Sequence, residues 1–178
     1  HNDVLAGLVV VKDEEIGAKL EIGMYINGAG LGPMDSWILL RGIKTLALRM
    51  KKHEENALKV AEFLRNHPKI EEVYFVGFED HPDYKTTLKQ STGFGGMISF
   101  RANNMDTVNQ ILNKIKLITF AESLGGVESL LTHPISRTHT EVDESTRNKL
   151  GITDTLLRLS VGIEDAEDII NDLKQALE

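Results

Sequence analysis

Apolar and polar positions alternate with several different periods along the chain, and each change of period predicts an element. Val4–Val11 is a continuous apolar run rich in β-branched residues. Such a run predicts a buried strand in a sheet covered on both faces. A short helix is expected from about Glu14 to Ile22. The glycines at 28, 30 and 32 then predict a loop that ends at Pro33, a residue suited to the first turn of a helix.

From Pro33 to His67 apolar residues recur three or four positions apart, which predicts one long helix that Pro68 ends. The residues of this apolar stripe are Trp37, Leu40, Ile43, Leu46, Met50, Ala57, Val60, Ala61 and Leu64. A helix of this length usually connects substructures. We therefore expect a domain boundary within it, near Lys51–His53.

After Pro68 short strands and helices alternate, with connections that favour an antiparallel sheet backed by helices. The predicted strands are Ile70–Phe75, Gly96–Arg101, Leu117–Ala121 and Leu156–Val161. Four helices are predicted. The first follows residues 81–84, the second runs from a cap at Asp106 to Ile115, the third spans Glu141–Leu150, and the last begins at Glu164 or Asp165. The expected fold class is α/β, with an α+β C-terminal part.

Composition narrows the function classes. The chain has 178 residues, and its 41% hydrophobic and 26% charged content is ordinary for a globular protein. A net charge of −7 disfavours nucleic acid as a partner, and no apolar run has the length of a membrane span. Cysteine is absent, which excludes disulfides and zinc–cysteine sites and fits a cytosolic location. The chain opens at His1 directly into a buried-looking strand, so we expect further sequence upstream.

Two motifs favour ordinary structural roles. The glycine run at residues 28–32 has neither the ending of a P-loop nor the spacing of a dinucleotide fingerprint, so a flexible loop is favoured. The histidines do not show the spacing of a helical metal site, and no metal ligands are expected.

The strongest candidate site joins Arg158 to the loop Glu122–Leu130. Arg158 interrupts a strand pattern, and a covered guanidinium needs a partner, for which a carboxylate is the natural choice. Ser123 supplies a hydroxyl, and Gly125 with Gly126 lets the backbone approach a ligand closely. Alternatively, the arginine lies along a solvent-facing sheet surface and the glycines only form a tight turn.

These residues, with several others in the same order, resemble one family along essentially the whole chain. The markers are His1–Val4, Leu31–Pro33 with Asp35-Ser36, Arg41-Gly42, Thr45-Leu46, Leu48–Met50, Gly93–Met97, Glu122–Leu130, Thr138-His139 and Arg158–Glu164. The chain resembles the C-terminal portion of the cystathionine γ-synthase, cystathionine lyase and methionine γ-lyase group, which are pyridoxal phosphate enzymes of fold type I. The resemblance implies that residues 1–50 are a remnant of the large cofactor domain and 51–178 the substrate-carboxylate domain.

The resemblance also implies roles for four residues. Arg158 corresponds to the arginine that holds the substrate α-carboxylate, and Ser123 to a serine beside it. Glu122 corresponds to a residue that faces the distal end of the substrate, and Thr138 to a threonine near the carboxylate site. The family's substrates are sulfur-containing or activated-homoserine amino acids, and its tetramers are built from dimers that share active sites.

By the same resemblance, the lysine that holds pyridoxal 5'-phosphate lies a few residues before His1, and the other cofactor-binding groups lie further upstream. No catalytic or cofactor-binding residue is therefore expected in this chain, and Lys12 and Lys44 do not replace the missing lysine. We expect Val4–Val11 to be disordered, paired with another copy, or covered by the missing N-terminal half.

The expected function is that of a fragment of a carbon–sulfur lyase acting on cystathionine or a related sulfur amino acid, inactive alone. Two alternatives stay open at this point. One is the synthase, which joins activated homoserine to cysteine by γ-replacement. The other is a non-catalytic binding or oligomerisation domain.

Overall fold

The computed structural model describes residues 1–178. The chain forms two compact units, residues 1–47 and 48–178. The helices are α1 (Glu14–Asn27), α2 (Pro33–Ile43), α3 (Leu46–Arg65), α4 (Tyr84–Gln90), α5 (Met105–Lys114), α6 (Glu144–Lys149) and α7 (Ala166–Leu177). The strands are β1 (Ile70–Tyr74), β2 (Met97–Ala102), β3 (Thr119–Phe120), β4 (Leu130–Thr132) and β5 (Leu156–Ser160), and a short 3₁₀ turn spans Pro134–Ser136. The assignment of residues 1–50 and 51–178 to a cofactor domain and a carboxylate domain stays a prediction.

The predicted strand Val4–Val11 is wrong for this chain. Residues 1–11 have no regular secondary structure, and Leu5 and Leu8 are 95% and 88% exposed. A strand requires a neighbour for its backbone groups, and none of the five strands pairs with this segment. The apolar run therefore has strand composition without a strand partner. In the same unit α1 and α2 bury no residue.

The helix predicted from Pro33 to His67 is interrupted at residues 44 and 45. The backbone N–H and the hydroxyl of Thr45 both lie 3.3 Å from the carbonyl oxygen of Gly42, a hydrogen-bonded turn three residues long. The side chain of Thr45 thus competes with the helical pattern. Trp37 is 60% exposed, whereas the four predicted apolar residues at 57, 60, 61 and 64 on α3 are fully buried.

The five strands form one sheet in the order β1-β2-β5-β4-β3. All neighbouring pairs are antiparallel except β3 and β4, which are parallel. The prediction of a mainly antiparallel sheet backed by helices is confirmed. The sequence patterns did not predict β4, and they predicted a longer β3, Leu117–Ala121. Strands of three and two residues are too short to show a period.

One face of the sheet is apolar, and the other carries polar side chains at its centre. Ile98 and Phe100 of β2, Leu157 and Leu159 of β5, and Leu131 of β4 are all 0% exposed. They share the core with side chains of α3, α5 and α7. The alternate positions, Ser99, Arg158 and Thr132, lie side by side in register on the opposite face.

The backbone that leads into β3 is held by Asp172 of α7. Its buried carboxylate accepts hydrogen bonds of 2.9 to 3.1 Å from the backbone N–H groups of residues 116, 117 and 118. These bonds satisfy three donors at once and set the position from which β3 begins.

Side chains also cap the N-termini of α5 and α6. The cap of α5 is Asn104, which accepts from the N–H of Thr107 at 2.8 Å, whereas the predicted cap Asp106 lies in the first turn. Asp143 caps α6, which is shorter than predicted. Hydrogen bonds from Ser145 and Thr146 lower the pKa of Asp143 to about 2.

Candidate functional site

Arg158 lies in the middle of β5, opposite Thr132 of β4. Its Nη2 donates to the carbonyl oxygen of Glu122 at 2.7 Å, and lies 3.3 Å from Oγ1 of Thr132 and 3.4 Å from the carbonyl oxygen of Ser123. The side chain is therefore aimed at the loop that begins after β3. Glu122 and Ser123 take part through backbone carbonyl groups.

The charge of Arg158 has no carboxylate partner within the chain. Arg65 is paired with Asp80 and Arg101 with Glu72, whereas every partner of Arg158 is a neutral oxygen. Its Nε is buried and has no hydrogen-bond partner. A half-buried guanidinium whose charge is not neutralised can still bind an anion, and its planar set of donors matches a carboxylate.

The loop at residues 121–129 arises from the parallel pairing of β3 and β4. Antiparallel strands can be joined by a tight hairpin, but a parallel neighbour requires the chain to leave the sheet and return. At the midpoint of the loop Gly125 has φ +73°. This left-handed conformation favours glycine, and the Gly125 N–H donates to Oγ of Ser160 at 2.8 Å. Ser160 is thereby a second β5 side chain that holds the loop.

The far end of the loop is anchored by Glu164. Its carboxylate accepts from the N–H of Ser129 at 2.6 Å and from the Ser129 hydroxyl at 3.0 Å. The Ser129 oxygen in turn accepts from the Gly162 N–H at 2.9 Å. From α3, Asn56 donates to the carbonyl oxygens of Gly162 and Glu164 at 3.0 and 2.7 Å. Strand β5, the loop and α3 are thus joined by one buried polar network.

The structure brings three of the four predicted site residues together. Arg158, Glu122 and Ser123 meet as described, whereas the exposed Thr138 places its hydroxyl 2.8 Å from Nδ1 of His139 and is not among the contacts of Arg158. Sequence reasoning missed Thr132 and Ser160. The period-2 alignment of Ser160 with Arg158 was the one available signal. The substrate-binding role of the four predicted residues stays a prediction.

A groove of about 560 Å³ lies elsewhere, along β1. Its arginine, Arg65, is already paired with Asp80, and Tyr74 donates to Glu72. Burial and that hydrogen bond raise the pKa of Tyr74 to about 12. We therefore assign the candidate site to Arg158 and not to the groove along β1. No group of three or more histidine or acidic side chains could hold a metal ion, and no helix has the length and hydropathy to cross a bilayer.

Comparisons with known proteins show the family of the chain and agree with its fold. A family described as Cys/Met metabolism PLP-dependent enzymes matches residues 1–178, and the chain belongs to this family. It is 49% identical to a cystathionine gamma-lyase of Bacillus subtilis, aligned over 100% of the chain and 47% of that relative. It is 50% identical to a cystathionine gamma-synthase of Haemophilus influenzae, over 99% of the chain and 43% of that relative.

Among solved structures, the chain is similar to cystathionine gamma-lyase from Lactobacillus plantarum complexed with L-serine. The TM-score is 0.91 at 41% identity, over 99% of this chain and 46% of that one. The chain thus spans less than half the length of the relatives it matches.

The residues around Arg158 do not by themselves fit pyridoxal phosphate, the cofactor of this family. The loop, β4 and β5 contribute serine, threonine, arginine and backbone groups but no lysine to bind the cofactor covalently, and no lysine of the chain is buried. What this part of the chain contributes chemically is a positioned cation and a loop of backbone groups.

We predict that Glu164→Ala loosens the loop. The variant removes a charged acceptor from Ser129, a contact of the kind that contributes about 1.5 kcal/mol, so the amides of residues 122–130 should exchange roughly tenfold faster. Hydrogen exchange followed by mass spectrometry measures this. The exposed Glu167→Ala is the matched control and should leave the loop unchanged. Equal protection in both variants would contradict the anchoring role.

Proposed function

We propose that this chain is the substrate-carboxylate part of a pyridoxal-phosphate-dependent carbon–sulfur lyase that acts on cystathionine or a related sulfur amino acid. In such an enzyme the cofactor acts as the electron sink, and Arg158 binds the substrate α-carboxylate. Ser123 lies beside the carboxylate, Glu122 faces the distal end of the substrate, and Thr138 lies near the carboxylate site. The chain alone is inactive in this proposal, because the lysine lies outside it.

One observation carries the proposal. Arg158 is a part-buried cation whose partners are all neutral oxygens, and it faces a glycine-containing loop that leaves backbone groups available. Membership of the family supplies the chemical context. A carboxylate placed there would add the charged partner that the chain itself does not provide.

The γ-replacement synthase is the second candidate. The relatives support both reactions, since the chain is 49% identical to a cystathionine gamma-lyase and 50% identical to a cystathionine gamma-synthase. The residues around Arg158 do not separate them, because both substrates carry an α-carboxylate.

The proposal extends to assembly and location. We infer that the full-length enzyme is a homotetramer built from dimers, as the resemblance to the family implies. The exposed apolar side chains of α1 and α2, such as Trp37 and Tyr25, are consistent with surfaces that are covered in the full enzyme. We also place the enzyme in the cytosol, with which the absence of cysteine agrees. A monomeric mass of the full-length protein in sedimentation velocity would contradict the assembly.

The function is tested with the full-length holoenzyme. A lyase releases a 2-oxo acid and ammonia from L-cystathionine, whereas the synthase forms cystathionine from an O-acylated homoserine and cysteine. We expect the first activity to dominate. As a control, the 178-residue chain with an equimolar amount of pyridoxal phosphate should form no stoichiometric borohydride-stable label on a single lysine, only the low and scattered labelling that exposed lysines give. A stoichiometric label on a single lysine would contradict the proposal that the lysine lies outside this chain.

We predict that Arg158→Lys in the full-length holoenzyme raises KM for L-cystathionine roughly 30-fold. Lysine keeps the charge but loses the planar pair of donors, a loss of about 2 kcal/mol in carboxylate binding. Steady-state kinetics measures the effect. Arg101→Lys changes an arginine on the same sheet face that is paired with Glu72, and its KM should stay within about twofold of wild type. Equal KM values for the two variants would rule out the carboxylate role.

A further inference from the structure

Thr132 lies directly opposite Arg158 in the antiparallel pair of β4 and β5, and its side chain is fully buried. Its hydroxyl contacts two groups. The O–H donates to the carbonyl oxygen of Ala121, and the oxygen lies 3.3 Å from Nη2 of Arg158. A hydroxyl has one donor and two acceptor positions, so both contacts can form at once.

These contacts connect the arginine to the first residue after β3. Ala121 also donates its backbone N–H to the carbonyl of Leu131 at 2.9 Å, so the segment that carries Glu122 is held from both sides. Because Thr132 binds the carbonyl of Ala121, it sets where the next carbonyl, that of Glu122, meets Nη2. One hydroxyl thereby influences two of the acceptors of the guanidinium.

The orientation of Nη2 determines the rest of the group, because a guanidinium is planar and rigid. Nη2 has its acceptors on Thr132, Glu122 and Ser123, whereas Nη1 takes no part in these contacts. Fixing Nη2 on this side leaves the remaining donors in a defined plane. A ligand carboxylate gains most from donors that are already positioned.

We propose that Thr132 is a positioning residue for the arginine that binds the substrate carboxylate. It acts through its hydroxyl, which fixes both Arg158 and the start of the loop, and it makes no contact with substrate. This inference rests on the proposed function, because it takes Arg158 to be the carboxylate-binding group.

The variants separate the hydroxyl from packing. Thr132→Val keeps the shape of the side chain and removes the hydroxyl. Thr132→Ala removes both the hydroxyl and the methyl group. Thr132→Ser keeps the hydroxyl. Thr107→Val is the matched control. Thr107 is another buried threonine, it lies on α5, and its hydroxyl donates to the side chain of Asn103.

The first measurement uses the 178-residue chain and is independent of catalysis. The order parameter of the Arg158 Nε–H group, from ¹⁵N relaxation, should fall in Thr132→Val and Thr132→Ala. It should stay unchanged in Thr132→Ser and Thr107→Val. Circular dichroism checks that each variant is folded. An unchanged order parameter in a folded variant without the hydroxyl would overturn the proposal.

The second measurement uses the full-length holoenzyme. Loss of the hydroxyl should raise KM for L-cystathionine about tenfold and leave kcat within about twofold, since it weakens carboxylate binding before and during reaction alike. An unchanged KM in Thr132→Val, beside a raised KM in Arg158→Lys, would reject the positioning role and leave the proposed function standing. An unchanged KM in Arg158→Lys would reject the proposed function itself.

Discussion

Arg158 belongs to a strand whose neighbouring residues lie in the hydrophobic core, and its guanidinium contacts only carbonyl and hydroxyl oxygens. Leu157 and Leu159 on either side of it are fully buried, so the strand cannot shift without disturbing the core. Neutral oxygens solvate the charge well enough for it to remain there, but they do not neutralise it. An arginine held in this way has a fixed position and an unpaired charge, and both properties suit a binding site for a carboxylate.

The loop depends on the sheet in the same way. Parallel pairing of β3 with β4 forces the chain out of the sheet at residues 121–129, and antiparallel pairing of β4 with β5 places this excursion beside Arg158. The side chains of Thr132 on β4 and Ser160 on β5 then hold this loop in place. Glu164 anchors its far end. The same strands therefore supply the charged group and the means of shaping the loop around it.

Several elements could be predicted because their signals are local. The strands at β1, β2 and β5 and the amphipathic helix α7 follow from their periods, and the mainly antiparallel sheet follows from the short connections. Others could not. Strand β4 has three residues, and the break at residues 44 and 45 is a local turn in which both the N–H and the hydroxyl of Thr45 bond Gly42. The cap of α5 lies two residues before the predicted Asp106. At the site, Arg158 and the Glu122 loop were identified, but Thr132 and Ser160 were not.

Local sequence patterns were enough to predict the family, most of the helices and strands, and the candidate arginine with its glycine loop. Each of these depends on residues close together in the chain or on an ordered set of short markers. The tertiary structure was needed to show that Val4–Val11 has no strand partner here and that Thr138 lies outside the contacts of Arg158. It was also needed to show that Glu122 and Ser123 contact Arg158 through their carbonyl groups. Each of these outcomes depends on strand pairing and register. Residues separated by more than 20 positions meet only when the sheet brings them together, and no local pattern encodes that distance.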